Sequence, residues 1–143
     1  MQDRGVPPTR RDFQRLAELR VREAGALLRT RNPAGAFYLS GYAIECALKA
    51  CIARKSRRHE FPPNVNYVRS LYTHKLEELL QLADLDKQLA NDMKTNIGLA
   101  TNWGVVKSWS EESRYRISGF NGKDLYTAVA GPDGGLLWIK QRW

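Results

Sequence analysis

Two histidines and one carboxylate are the side chains of this sequence that are best suited to acid–base chemistry. The 143 residues contain only His59 and His74, so any proton transfer by histidine near neutral pH must use one of them. Glu45 lies in the middle of an apolar segment, residues 34–53. Lys49, four residues later, is at the spacing of an ion pair along a helix. An unpaired carboxylate in apolar surroundings is costly, which predicts that Glu45 contacts a further buried donor.

A second candidate site combines two guanidinium groups with a phenol at Arg114, Tyr115 and Arg116. Guanidinium forks match phosphate oxygens, and aromatic faces stack on nucleobases. The segment could therefore bind a nucleotide or RNA, although a packed corner between two helices accounts for the same residues. These three side chains are also the candidate donors for Glu45. That contact would make Glu45 part of a structural network or of a ligand site.

The net charge of +8 and the sequence pI near 9.8 favour an anionic partner, nucleic acid first. Basic tracts at 10–15 and 54–58 could serve such a partner or could be solvated faces. The sequence contains no phosphate-binding GxxxxGK[ST] loop, no GxGxxG after a strand, no HExxH and no paired CxxC. It thus offers no support for nucleotide hydrolysis, dinucleotide redox chemistry or zinc catalysis, and neither a cofactor nor a metal ion is expected.

The two cysteines and the polar amino terminus both point to the cytoplasm. Cys46 and Cys51 lie five residues apart in the apolar segment, as buried thiols of a reducing compartment do. No apolar run follows the first arginines, so neither a signal peptide nor a transit peptide is predicted. The apolar segment, about 20 residues, is long enough to span a membrane. Gly41, Glu45 and Lys49 argue against that location, since charges are costly in lipid.

The elements that would position these residues are helical. Residues 1–8 form a predicted mobile leader, and Thr9 is the expected N-cap of an amphipathic helix over 10–30. Asn32 and Pro33 mark the start of the second helix, which contains the apolar segment. This helix is apolar nearly all round and must be covered on every side. Because so short a chain offers few helices to cover it, we expect part of it to face a second subunit in a homodimer.

The remaining helices are shorter. Residues 59–72 are predicted to be a connection, and Thr73 is the expected cap of a third helix over 74–83 with His74 in its first turn. Asp86 should cap a fourth helix that extends to Ala100, and Asn121 should begin a last one. Residues 103–119 are too irregular to assign, and no period-two alternation predicts a strand. The expected fold is a single all-α domain over residues 1–143, an up-down bundle of four to five helices.

Three segments together resemble the HEPN domain family. They are FYLSGYAIECALKA in the second helix, THKLEELL at the start of the third, and WSEESRYR with the terminal GGLLWIKQRW. The resemblance spans almost the whole chain, and its most specific part is the second helix. It implies a helical bundle that is usually dimeric, with roles in RNA cleavage, nucleotide binding, toxin–antitoxin pairs and phage defence.

The resemblance also implies a catalytic pair. Active HEPN ribonucleases are metal-independent and carry an arginine followed, after four to six residues, by a histidine. Arg54 and His59 are related in this way, although the family's motif lies later in the bundle and has Asn, Asp or His where this chain has Lys55. In an active enzyme, His59 or His74 would transfer the proton and Arg54, Arg114 or Arg116 would bind the phosphate. The alternative is a non-catalytic, dimerising interaction module whose nucleotidyltransferase or antitoxin partner provides the activity.

Overall fold

The structure is a computed structural model that describes residues 8–56, 65–116, 119 and 121–143. Every regular element within these ranges is helical, as the sequence predicts. The elements, in order, are α1 (Arg10–Arg29), α2 (Pro33–Arg54), α3 (Val65–Ser70), α4 (Leu76–Leu82), α5 (Asp86–Thr95), α6 (Ile97–Val106), a 3₁₀ turn (Glu111–Tyr115), α7 (Gly122–Ala130) and α8 (Gly135–Lys140). Apart from Pro8, the predicted mobile leader lies outside the described residues.

The two long helices begin where the sequence predicts. The Thr9 hydroxyl accepts a hydrogen bond from the Asp12 amide at 3.1 Å, and the Asp12 carboxylate accepts one from the Thr9 amide at 2.8 Å. This reciprocal arrangement satisfies amides that the first turn of α1 leaves unpaired. Helix α2 begins at Pro33, where a missing N–H costs nothing. Asn32 does not cap it, because its side-chain amide donates to Thr30.

Helix α2 is the centre of the bundle. Helices α1, α4, α7 and α8 and the 3₁₀ turn pack around it, and every residue from 43 to 52 is buried. By length and composition alone α2 could cross a membrane, but 78% of its most apolar 18 residues is buried inside the fold. Because elements of the same chain cover this stretch, the burial of α2 gives no ground for a second subunit, contrary to our expectation. The homodimer stays a prediction.

The middle of the chain has more and shorter helices than predicted. Helix α3 lies within the segment predicted to be a connection. Helix α4 begins at Leu76, so Thr73 is not its cap and His74 precedes the helix instead of lying in its first turn. The reason is local: the Thr73 hydroxyl donates to Glu78 at 2.9 Å and accepts from the Lys75 amide at 3.3 Å, which forms a turn.

The predicted fourth helix is two helices, α5 and α6. The side chain of Asn96 accepts a hydrogen bond from the Leu99 amide at 3.0 Å and so begins a new helix. The sequence spaces Leu89, Met93 and Ile97 four residues apart, as in the apolar stripe of one continuous helix. In the structure, Ile97 is 81% exposed. In contrast, Asn121 caps α7 as expected, accepting from the Asp124 amide at 3.0 Å.

The segment left unassigned contains the end of α6 and the 3₁₀ turn. Between them, Trp109 lies against the backbone of α2 at Gly41, where a Cβ atom would fall 2.2 Å from three atoms of the indole ring. Trp109 is 4% exposed. The glycine therefore allows an indole to reach the central helix, which brings the 3₁₀ turn against the same face of α2 that carries Glu45.

Candidate functional site

The carboxylate of Glu45 is fully enclosed and has two cationic or donor partners. Its side chain is 1% exposed, and the Lys49 ammonium lies 3.2 Å from Oε2. His74 Nδ1 lies 3.1 Å from both Oε1 and Oε2. A carboxylate only accepts hydrogen bonds, so the contact assigns a proton to Nδ1 of His74.

These partners differ from the donors that the sequence suggested. Arg114 lies over the ring of Tyr115, with its central carbon 4.8 Å from the ring centroid. Tyr115 is 74% exposed, and the guanidinium of Arg116 lies beside Gly119. The structure therefore corrects the choice of partners for Glu45, while the expectation that a buried donor would meet this carboxylate agrees with the contacts to Lys49 and His74.

His74 connects the buried carboxylate to an open cleft. Its side chain is 41% exposed, and Nε2 lies 3.4 Å from Oε2 of Glu111 in the 3₁₀ turn. Glu111 is partly exposed, whereas Glu45 is enclosed. Losing the hydrogen bond from His74 would therefore cost more free energy at Glu45 than at Glu111, where water can replace it. The imidazole is thus held by Nδ1 at the protein interior and directs Nε2 outward. In enzymes that use histidine as a general base, a buried carboxylate often accepts a hydrogen bond from Nδ1 and orients the ring in the same way.

The helix spacing of α2 explains how the site is built. Tyr38, Tyr42, Glu45 and Lys49 follow one another by four, three and four residues, so they share one face of the helix. This face meets the 3₁₀ turn at its amino-terminal end and the His74 segment at Glu45. The shared face of the two tyrosines and Glu45 is missing from the sequence predictions, although this spacing indicates it.

The cleft beside His74 has a volume of about 1020 Å³ and lies mainly among α4, α5 and the 3₁₀ turn. Its charged lining is predominantly acidic. Three cations, Arg69, Lys75 and Lys107, oppose five carboxylates, Glu77, Glu78, Asp86, Glu111 and Glu112. The cleft is therefore locally negative although the chain as a whole carries a charge of +8.

Arg69 stands in the same relation to His74 as Arg54 does to His59. Four residues separate the arginine from the histidine in each pair, and the sequence predictions include only Arg54 and His59. In the structure, Arg69 and His74 line the same cleft. The Arg69 guanidinium lies 3.3 Å from Glu78. The missed signal was thus the spacing itself, which is as visible in the sequence at Arg69 as at Arg54.

The structure does not bring Arg54 into this cleft. Its guanidinium donates to the Arg142 carbonyl at 3.2 Å, on the side of α2 that meets the chain's last residues. His59 lies outside the described residues. Of the three residues predicted to be catalytic, His74 alone is therefore placed at a site by the described part of the chain.

Three buried polar atoms near the site have no hydrogen-bond partner among the described residues. They are the Ser40 hydroxyl in α2, the Trp109 indole N–H and the Ser113 hydroxyl in the 3₁₀ turn. Trp109 and Ser113 belong to the segment that packs against the tyrosine face of α2, whereas Ser40, two residues from each tyrosine, lies on the opposite side of the helix. Unpaired buried groups are costly, so a ligand or an ordered water could complete the contact that Trp109 and Ser113 make with α2.

The nearby thiol and phenol are not nucleophiles at neutral pH. Burial, followed by the charge of Glu45, raises the pKa of the Cys46 thiol to about 12. Burial also raises the pKa of Tyr42 to about 12. Both groups are neutral at pH 7, so the reactive group at this site is the imidazole.

Comparison with protein-family models, with curated proteins and with solved structures finds no match. Within the described residues there is no group of three or more His, Cys, Asp or Glu side chains arranged to hold a metal ion.

Proposed function

We propose that this chain is a HEPN-like, cytoplasmic protein of a toxin–antitoxin or defence system that binds RNA or a nucleotide. We further propose that it cleaves RNA at the His74 cleft without a metal ion. The observation that carries this proposal is the contact between His74 Nδ1 and the enclosed carboxylate of Glu45, which leaves Nε2 facing the cleft. A fixed imidazole is a suitable base for phosphoryl transfer from a ribose hydroxyl, which would replace the partly exposed carboxylate of Glu111, 3.4 Å from Nε2.

The reaction would proceed in one displacement at phosphorus. Nε2 of His74 accepts the proton of the 2′-hydroxyl as the 2′-oxygen bonds to the adjacent phosphorus and the bond to the 5′-oxygen breaks. The imidazolium then returns its proton to the departing 5′-oxygen. The products are a 2′,3′-cyclic phosphate and a 5′-hydroxyl. Glu45 would stabilise the imidazolium through Nδ1. Arg69, which lines the same cleft, would exchange its contact with Glu78 for the phosphate and counter the charge that develops there.

The acidic lining of the cleft favours a second candidate function. An excess of carboxylates repels a polyanion and attracts a basic segment of another protein. The chain would then be a non-catalytic interaction module, a predicted homodimer that binds a nucleotidyltransferase or an antitoxin. In this case Glu45 and His74 would order the wall of a docking site, and the two candidates differ in whether His74 is needed for catalysis or only for shape.

The test incubates the purified protein with total RNA in EDTA, alongside His74→Ala, Glu45→Gln and His59→Ala variants. We expect cleavage by the wild type and a loss of about 100-fold or more in His74→Ala, since positioned proton transfer contributes about that much. Glu45→Gln should retain a fraction of the activity, and His59→Ala should cleave normally. Circular dichroism of each variant controls for folding.

Absence of cleavage by the folded wild type would refute the ribonuclease and favour the interaction module. Loss of cleavage in His59→Ala with full activity in His74→Ala would place catalysis at the Arg54 and His59 pair instead. Terminal 2′,3′-cyclic phosphates on the products would support the displacement described above.

A further inference from the structure

Arginine and tyrosine side chains form a row along the amino-terminal half of α2. The rings of Tyr38 and Tyr42 lie 6.0 Å apart with an angle of 13° between their planes. Arg20 of α1 lies over Tyr42 at 5.9 Å. At the other end, Arg114 lies over Tyr115 at 4.8 Å, and the phenols of Tyr115 and Tyr38 raise the pKa of its guanidinium. We call these five residues the Arg–Tyr row.

The row has an open end with an available charge. Tyr115 is 74% exposed and Arg114 is exposed, whereas the rings of Tyr38 and Tyr42 are partly exposed. Arg20 forms an ion pair with Glu23. Arg114 forms no ion pair within the described part of the chain, so its guanidinium can contact a phosphate without first leaving a carboxylate.

The row is continuous with the His74 cleft. Trp109 lines that cleft and packs on Tyr38, with 6.2 Å between ring centroids. Glu111, which contacts His74, belongs to the same short 3₁₀ turn as Tyr115. On α2, Tyr42 is one turn from Glu45. The row and the cleft therefore share Trp109 and the 3₁₀ turn, so a strand bound at the row lies beside the cleft.

The charge of the cleft makes such a row necessary for an RNA substrate. Five carboxylates against three cations cannot hold a polyanion by charge, so affinity must come from outside the cleft. Stacking on tyrosine and arginine planes supplies affinity that does not depend on base sequence. Unpaired bases can stack in this way, whereas the bases of a duplex cannot.

We infer that the Arg–Tyr row is a platform for single-stranded RNA, on which a base stacks on the exposed ring of Tyr115 while Arg114 contacts a phosphate, and that it directs the strand into the His74 cleft. This inference rests on the proposed function, because it takes RNA to be the ligand of that cleft. It assigns affinity to the row and proton transfer to His74.

Binding is measured by fluorescence anisotropy with a labelled 12-nucleotide 2′-O-methyl RNA, which cannot be cleaved by attack of a 2′-hydroxyl. The wild type should bind the single strand at least about tenfold more tightly than a duplex of the same sequence. Tyr115→Ala should weaken binding about tenfold, within the range for loss of one base stack, and Tyr115→Phe should retain most of it.

Arg114→Ala separates charge from stacking. It should lower the slope of log affinity against log salt concentration by about 0.7, the value for one phosphate contact on a single strand, while Tyr115→Ala leaves the slope unchanged. Arg22→Ala is the matched control. Arg22 is exposed on α1, two residues from Arg20 and therefore on a different face of the helix. Its loss should leave the affinity of the single strand within about twofold of the wild type.

Two outcomes would overturn the inference: equal affinity for single strand and duplex, or unchanged binding in both Tyr115→Ala and Arg114→Ala. If RNA is cleaved by His74 while these variants bind and cleave normally, the proposed function stands and the row is wrong. If binding depends on the row but no RNA is cleaved, the platform stands and the ribonuclease is wrong. Failure of every RNA to bind refutes both.

Discussion

The enclosed ion pair of Glu45 and Lys49 permits a quantitative prediction. The two side chains are 1% and 7% exposed and their charges lie 3.2 Å apart. Coulomb's law gives a gross attraction of about 5 kcal/mol for this distance at an effective dielectric constant of about 20. Removing one partner of such a pair leaves a charge without compensation, which costs about 3–5 kcal/mol. We expect about 3 kcal/mol for Glu45→Gln, because the amide oxygen still accepts from His74.

Lys49→Met should cost a similar amount, since it leaves Glu45 charged with His74 as its remaining partner. The double variant Glu45→Gln/Lys49→Met removes both charges and should lose only about 2 kcal/mol, which gives a coupling of about 4 kcal/mol. The assay is urea unfolding followed by circular dichroism, with linear extrapolation of the free energy of unfolding.

The control cycle uses the exposed pair of Lys140 and Glu18, whose charges are 3.5 Å apart at the surface. Lys140→Met and Glu18→Gln should show a coupling below about 1 kcal/mol, as exposed pairs do. A coupling for Glu45 and Lys49 as small as that of the control would refute the reasoning. So would single variants whose free energies of unfolding equal that of the wild type.

Three further predictions concern packing and ionisation. Gly41→Ala should lower the free energy of unfolding in urea by about 3 kcal/mol or more, because its Cβ atom would lie 2.2 Å from the Trp109 ring. The control Gly104→Ala, with no atom within 4 Å of its Cβ, should be neutral or stabilising. Equal effects of the two substitutions would contradict this packing. Since the pKa of the Cys46 thiol is raised to about 12, the stability that the neutral thiol contributes is complete below pH 9 and is lost as the pH rises towards 12. The thiol should resist a disulfide reagent at pH 8 until the chain unfolds. Rapid modification of the folded chain would contradict its burial. A hydrogen bond from the Trp138 indole holds the pKa of the Asp92 carboxyl below its usual 3.8. The ionised carboxylate therefore stabilises the fold above pH 3.8, and this stabilisation is lost as the pH falls through the lowered pKa. Asp92→Asn should flatten the acid limb of the plot of stability against pH, and an unchanged acid limb would disprove this linkage.

The parts of the fold that were predicted correctly are those with local causes. Thr9 and Asn121 begin their helices because each side chain bonds an amide three residues away. The same kind of local contact caused the main error, since Asn96 interrupts an apolar period that otherwise continues through it. Competition between a cap and a periodic stripe depends on packing, which the pattern alone does not contain.

The candidate site was predicted only in part because its contacts are distant in sequence. Glu45 indicated a buried polar contact, but its partner His74 lies 29 residues later and joins it through the packing of α4 against α2. The spacing of Arg69 and His74 is visible in the sequence. Nothing local distinguishes it from Arg54 and His59, and only the fold places the first pair at a cleft.

The most direct test of the account is the protonation of the His74 ring. Long-range ¹H–¹⁵N NMR spectra of the neutral imidazole report which nitrogen carries the proton, and Glu45→Gln provides the comparison. We predict a proton on Nδ1 and a bare Nε2 in the wild type, with a change in the Nδ1 signal when Glu45 loses its charge. A proton on Nε2, or a His74 spectrum that Glu45→Gln leaves unchanged, would contradict the claim that the buried carboxylate orients this base.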